Sequence, residues 1–154
     1  LHAQPWLMAS PLDLAKRDGK PTLVIFEQKV CAGCDEMHAE GFPRPEVAAL
    51  LQRYRAARVD IASAEALKTP NGKSLAMRDW ARQLKIIYTP SFVFFDAGGR
   101  EVFRVEGYLR PFHLASSLDY VASGAYRKQP EFQRFIEARA AARREKGEKI
   151  ELMK

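Results

Sequence analysis

The two cysteines of this chain, Cys31 and Cys34, have only two residues between them and stand where an apolar run meets a helical pattern. The run at 22–26 is β-branched, aromatic and uninterrupted, which is typical of a buried strand. Residues 35–40 are expected to form a helix. The N-terminus of a helix offers unpaired N–H groups and a partial positive charge, and both stabilise a thiolate. A Cys-x-x-Cys pair in this position predicts a redox-active dithiol.

Composition sets the broad class. The chain has 154 residues and an ordinary composition, which fits one domain with its own core. No stretch is apolar for long enough to cross a membrane. Residues 1–4 are compatible with what remains after an export signal is cleaved, or with an arbitrary starting point. The formal net charge is +6, but basic and acidic side chains alternate in the tail without an aromatic platform, so we expect no nucleic-acid partner.

The apolar patterns along the chain predict a series of helices and strands. Early strand–helix–strand crossovers require parallel pairing, whereas a late hairpin around 96–100 requires antiparallel pairing. We therefore expect an α/β fold with a mixed central sheet and helices on both faces. The predicted helices are 11–18, 35–40, 46–53, 74–84, 111–122 and 130–146, and the predicted strands are 22–26, 57–61, 91–95 and 101–105.

The C-terminal segment is expected to extend this fold. We place a domain at 1–126 and a helical extension, packed on that domain, at 127–154. An apolar stripe runs along the extension with the spacing of one helix face. We expect the stripe to dock on its own domain rather than on a partner, and the protein to be a monomer. The stripe consists of Phe132, Phe135, Ile136 and Ala140.

Three features together resemble the thioredoxin superfamily over about residues 10–124: the element order, the Cys-x-x-Cys motif after the first strand, and Thr89-Pro90 before the apolar hairpin. Further phrases are similar to the exported thioredoxins of bacterial sulfur oxidation, the Sox type. The resemblance implies a thioredoxin-like fold with an extra C-terminal helix and a periplasmic location. It also implies electron transfer from a membrane thiol transporter of the DsbD type to disulfides in client proteins. The phrases are Phe26-Glu27-Gln28, Met37-His38, Phe94-Phe95-Asp96, 106–112 and 124–135.

The roles of the two cysteines follow from thiol chemistry. Cys31, at the helix N-terminus, is the candidate nucleophile that forms a mixed disulfide with the client. Cys34, one turn deeper, is the candidate resolving thiol. Ala32 and Gly33 lie between them and are expected to contact the client. Neither side chain is charged or aromatic, which favours a moderate or low reduction potential.

The resemblance assigns further residues around the dithiol. It implies that the Thr89-Pro90 bond is cis and that Thr89 pairs its backbone with the client's extended chain. Many thioredoxins bury an Asp beneath the dithiol, but the matching position here is Ile25. Glu27 is the nearest carboxylate, and it is either a general base for the dithiol or an exposed charge at the end of a strand.

Other readings of the cysteine pair remain open. The same residues suit a disulfide isomerase or oxidase, and a plain structural disulfide would close only a small loop. A metal-handling protein would use Cys31 and Cys34, with His38 as a candidate third ligand, although structural zinc sites generally take four ligands. We expect His38 to be a solvated helix residue, and we expect no metal or cofactor. The interpretation adopted is a periplasmic thiol-disulfide reductase.

Overall fold

A computed structural model describes residues 1–147 as a four-stranded sheet flanked by helices, with a separate two-stranded hairpin. No helix of this described part is both long and apolar enough to cross a bilayer. The strands are β1 (Thr22–Glu27), β2 (Arg55–Asp60), β3 (Ala66–Lys68), β4 (Ser74–Ala76), β5 (Ser91–Phe95) and β6 (Glu101–Glu106). The helices are α1 (Ala32–Glu36), continued by a π-helical turn (Met37–Gly41), α2 (Pro45–Leu51), α3 (Met77–Gln83), α4 (Pro111–Ala122), α5 (Ala125–Lys128) and α6 (Phe132–Glu145).

The central sheet is mixed, as the sequence predicted. Its strand order is β2-β1-β5-β6. The strand–helix–strand crossover makes β1 and β2 parallel, with Thr22 opposite Arg55 and Glu27 opposite Asp60. The β5–β6 hairpin is antiparallel, and β5 also runs antiparallel to β1. This arrangement confirms the α/β class with helices on both faces and a helix added at the C-terminal end.

Two hydrophobic cores lie on opposite faces of the sheet. Because side chains alternate along a strand, β1 supplies both cores. Leu23 and Ile25 enter the core shared with α2 and α4, whereas Val24 and Phe26 enter the core shared with α3. Both faces of β1 are therefore covered, which accounts for its uninterrupted apolar sequence.

The helix predicted at 11–18 is wrong. This segment is irregular, and its Ser10–Pro11 bond is cis. Leu12 and Leu14 are both buried, and Lys68 of β3 exchanges backbone hydrogen bonds with them at 2.9 Å. Two buried leucines at a spacing of two fit an extended segment rather than a helix. The Ser-Pro-x-Asp capping signature did not outweigh that pairing.

The predicted helix at 74–84 begins late for a similar reason. Residues Ser74–Ala76 form β4, which pairs with β3 around the turn at 69–72, and α3 starts only at Met77. The sequence indicated the turn but not the short strands on either side of it. Strands of three residues are too short to show a clear alternation.

The extra helix α6 packs against α4. Ile136 and Ala140 are buried, and Phe132 and Phe135 lie against the first core. Arg139 adds polar contacts to Glu46 at 2.9 Å and to Asp119 at 3.2 Å. The apolar stripe thus contacts its own chain. The division at 126/127 stays a prediction, and residues 148–154 of the predicted extension lie outside the described residues.

Candidate active site

The two cysteines form a disulfide at the start of α1, with their Cα atoms 5.2 Å apart. Cys31 is the N-cap residue, and the Cys34 N–H donates to its sulfur at 3.0 Å. Cys31 is 8% exposed and Cys34 is 2% exposed. Both cysteines are thus buried, and Cys31 is the more exposed of the two. An N–H that points at Cys31 Sγ favours the thiolate form of that residue.

The Thr89–Pro90 loop lies directly against the dithiol turn. Its peptide bond is cis. A Cβ added to Gly33 would stand 3.0 Å from Pro90 Cδ and 3.8 Å from the Thr89 carbonyl oxygen. Gln28 ties the same loop to the end of β1, since its side-chain amide donates to Thr89 Oγ1 at 3.0 Å. The structure thus brings together the predicted residues of the dithiol and of the proline loop, and Ala32 beside them is exposed.

Exposed apolar side chains cluster in sequence beside these loops. Three of the four large hydrophobic residues exposed in the described part of the chain flank the site. Val30, which precedes Cys31, is 91% exposed, and Ile87 and Tyr88, which precede Thr89, are 73% and 61% exposed. Apolar surface of this kind is typical of a protein-binding face.

Glu27 is buried rather than exposed at the end of its strand, so the exposed-charge alternative is wrong. It shares a face of β1 with Leu23 and Ile25, the face that the dithiol helix covers. Its carboxylate oxygens lie 3.0 and 3.1 Å from His38 Nε2. The Arg58 guanidinium is 3.8 Å away. Side chains alternate along a strand, so Glu27 lies on the same side of β1 as Leu23 and Ile25. This alternation is the sequence signal that indicates its burial.

His38 is also buried, so the prediction of a solvated helix residue is wrong. Its side chain is 3% exposed. It lies four residues after Cys34, on the same side of the helix, and this side faces the sheet. The ring packs edge-on against Phe42 at a centroid distance of 4.8 Å. With one ring nitrogen on Glu27 and the other on Gln4, His38 is not oriented as a third metal ligand.

The N-terminal segment covers His38 from the outside, which the sequence did not indicate. The His2 ring stacks on His38 with centroids 4.5 Å apart, and its Nε2 lies 2.7 Å from the Asp35 carboxylate. The Gln4 amide nitrogen lies 3.0 Å from His38 Nδ1. Arg58 donates to the His2 carbonyl oxygen. These contacts join residues that are far apart in sequence, so no local sequence pattern predicts them.

Within the described residues, no group of three or more His, Cys, Asp or Glu is arranged to hold a metal ion.

Comparisons with known proteins agree with this fold. A family profile described as a thioredoxin-like domain matches residues 8–122, and the chain belongs to that family. Its fold and its Cys31–Cys34 pair make it a thiol-disulfide oxidoreductase. A comparison with curated proteins found no similar sequence.

Solved structures extend the likeness. A thioredoxin-fold protein from Helicobacter pylori superposes with a TM-score of 0.73 at 15% identity, over 82% of this chain and 88% of that chain. A thioredoxin from Thermus thermophilus gives 0.52 at 29% identity, over 67% and 74% of the two chains. The periplasmic thioredoxin SoxS from Paracoccus pantotrophus gives 0.50 at 21% identity, over 69% and 99%. The likenesses below 25% identity, the first and the last, show the fold.

Proposed function

We propose that this oxidoreductase is a periplasmic reductase of client protein disulfides, with Cys31 as nucleophile and Cys34 as resolving thiol. The observation that carries the proposal is the N-cap position of Cys31, whose sulfur accepts the Cys34 backbone N–H. Cys31 is also the more exposed of the two buried cysteines, at 8% against 2%. Cys31 is therefore the better placed to meet an incoming disulfide, and the N–H group at its sulfur stabilises a thiolate there.

The reaction takes place in two exchanges. The Cys31 thiolate attacks one sulfur of the client disulfide, forms a mixed disulfide and releases the other client sulfur as a thiolate. Cys34 then gives up its proton and attacks Cys31 Sγ. The Cys31–Cys34 bond forms, the bond to the client breaks, and the client leaves with both sulfurs reduced. Two electrons have passed from the dithiol to the client.

A buried thiol needs a nearby proton acceptor before it can attack. Glu27 is the proposed general base for Cys34. It replaces the Asp that many thioredoxins carry at the position of Ile25, two residues earlier on the same strand face. In support, Glu27 is fully buried on the side of β1 that the dithiol helix covers. Proton transfer by a positioned carboxylate contributes about 10²- to 10⁴-fold to a rate.

The client is proposed to dock across the two loops of the site. Thr89, held by Gln28 and followed by Pro90, would pair its backbone with an extended client segment, as in strand addition to a sheet edge. Val30 and Ile87 would cover the client's apolar side chains. Gly33 lies directly against Pro90, because a Cβ at Gly33 would stand 3.0 Å from Pro90 Cδ. A client segment paired with Thr89 would therefore also pass over Ala32 and Gly33.

The electron donor proposed for regeneration is a membrane thiol transporter of the DsbD type. It would reduce the Cys31–Cys34 disulfide by the same two exchanges in reverse order. This proposal and the periplasmic location derive from the Sox-type resemblance, and the protein would act as a monomer.

Single cysteine variants test the assignment. With insulin as the disulfide client and dithiothreitol as the electron source, the wild-type protein is expected to turn over. Cys34→Ser should stop turnover and hold the client on Cys31 as a mixed disulfide that excess dithiothreitol releases. Cys31→Ser should give neither turnover nor an adduct. An adduct on Cys31→Ser in place of Cys34→Ser would exchange the two roles and contradict the proposal.

A further inference from the structure

Glu27 and His38 form a buried pair of ionisable side chains behind the dithiol. Among the described residues 1–147, Glu27 is the only buried carboxylate and His38 is the only fully buried imidazole. Their side chains are 1% and 3% exposed. A carboxylate removed from water is costly unless hydrogen bonds or opposite charge compensate it. Packing alone does not explain this pair, and His38 lies on the helix that also carries Cys34.

Contacts on both ring nitrogens define the protonation state of His38. The Gln4 amide nitrogen faces Nδ1 at 3.0 Å, and an amide N–H can only donate. Nδ1 must then carry a lone pair, so the single ring proton of a neutral imidazole is on Nε2. That proton is shared between the two Glu27 oxygens at 3.0 and 3.1 Å. This tautomer of His38 thus donates from Nε2 to the Glu27 carboxylate.

The same helix carries the ring and the buried thiol. Cys34 and His38 are four residues apart, and residues at this spacing lie one above the other on a helix face. Glu27 approaches this face from β1, because it follows Ile25 by two residues. His38 therefore holds Glu27, the one buried carboxylate among residues 1–147, toward the helix face that carries Cys34.

We infer that His38 is a positioning residue for the resolving step, holding the Glu27 carboxylate charged and in place to accept the Cys34 proton while Gln4 fixes its tautomer. This inference rests on the proposed function, and specifically on the role of Glu27. The proton moves from Cys34 Sγ to a Glu27 oxygen, and Glu27 later returns it to the departing client thiolate or to water. His38 keeps its own proton on Nε2 throughout.

Other charged groups lie around the Glu27–His38 pair. Arg58, from β2, stands 3.8 Å from Glu27 and supports its negative charge. His2 stacks on His38 from the N-terminal segment and pairs with Asp35 of α1. Asp60 of β2 is the register neighbour of Glu27. Of these groups, only His38 donates a hydrogen bond to the carboxylate.

The resolving step can be followed separately from the first attack. Reduced protein is mixed with 5,5′-dithiobis(2-nitrobenzoate) in a stopped-flow instrument, and release of the yellow thiolate is recorded from pH 5 to pH 9. The first equivalent reports attack by Cys31, and the second reports attack by Cys34 on the mixed disulfide. Glu27→Gln is expected to slow the second phase by about 10²-fold or more and to flatten its pH profile.

Substitutions of His38 and Gln4 should move that profile in opposite directions. His38→Leu removes the hydrogen bond to the carboxylate, which favours its protonated form. The acid limb of the second phase should therefore move to higher pH. His38→Gln keeps an N–H donor and should restore most of the shift. Gln4→Glu accepts from Nδ1–H and favours an imidazolium beside Glu27, so the limb should shift down. His113→Leu, at a half-buried histidine of α4, is the matched control and should leave both phases unchanged.

The outcomes separate the inference from the proposed function. If His38→Leu folds but keeps the wild-type pH profile while Glu27→Gln loses it, His38 has no positioning role although the dithiol mechanism holds. Equal shifts in His38→Leu and His38→Gln would also overturn the inference, because the donor would not matter. If Glu27→Gln itself has no effect, the general base proposal fails. If no second equivalent is released by the wild-type protein, the dithiol mechanism fails. If His38→Leu does not fold, the direction in which the pH profile of the second phase moves is still measured with His38→Gln and Gln4→Glu.

Discussion

Replacing Ile136 with alanine tests whether α6 is an integral part of this fold. Ile136 is 1% exposed and lies where α6 meets the domain. The change deletes three carbon atoms, which at about 0.8 kcal/mol per buried methylene amounts to roughly 2.4 kcal/mol of lost transfer free energy. The cavity left behind adds to this, and comparable substitutions cost about 2 to 5 kcal/mol. We expect the free energy of unfolding to fall by an amount in that range.

Urea denaturation followed by circular dichroism measures this loss. Gln133→Ala, an exposed change on the same helix, is the matched control and should alter stability by less than about 0.5 kcal/mol. A single cooperative transition at lower urea is expected for Ile136→Ala, since α6 closes the first core. If the free energy of unfolding falls by less than about 1 kcal/mol, or if α6 unfolds in a separate transition at lower urea, the reasoning is refuted. In that case α6 would be a helix that contributes little to the stability of the domain.

Two further predictions concern the salt-bridge cluster and the client surface. Burial acts to raise the pKa of Glu46, but hydrogen bonds and charge from Arg139 and Arg143 outweigh it and lower that pKa. The carboxylate therefore stabilises the fold above about pH 4.5 and loses this contribution as the pH falls through its lowered pKa. The difference in unfolding free energy between wild type and Glu46→Gln, measured by urea titration, should therefore disappear in acid. A gap that stays constant between pH 7 and pH 3 would contradict this sign. Ile87→Ser should raise KM for insulin about tenfold by removing exposed apolar surface beside the site, whereas Leu1→Ser, at another exposed apolar residue, should not. Equal KM values for both variants would rule out the proposed docking face.

Much of the fold could be predicted because its patterns are local. The strand at 22–27 is long and continuously apolar, and the hairpin of β5 and β6 carries its own turn. Pairing directions then followed from the length of each connection. The segment at 10–18 failed because a capping signature competes there with a long-range pairing to Lys68. No local pattern announces such a pairing, and tertiary contacts override the weak preferences of a short segment.

The candidate site divides in the same way. Its dithiol was predicted from residue types and spacing, and the role of its proline loop from the resemblance to the thioredoxin superfamily. Burial of Glu27 was also readable, since it continues the alternation of Leu23 and Ile25 along β1. Burial of His38 was not, because a histidine between Met37 and Ala39 fits an exposed helix face as well as a buried one. Its partner Gln4 lies 34 residues away, and only the folded chain brings the two together.

The reduction potential of the Cys31–Cys34 pair is the most direct test of the central claim. It is measured by equilibrating the protein with defined ratios of reduced and oxidised dithiothreitol or glutathione and quantifying the two protein forms after acid quench. A reductase should give a value near that of thioredoxin, about −270 mV. A value near that of DsbA, about −120 mV, would reverse the direction of electron flow and make this protein an oxidant or isomerase.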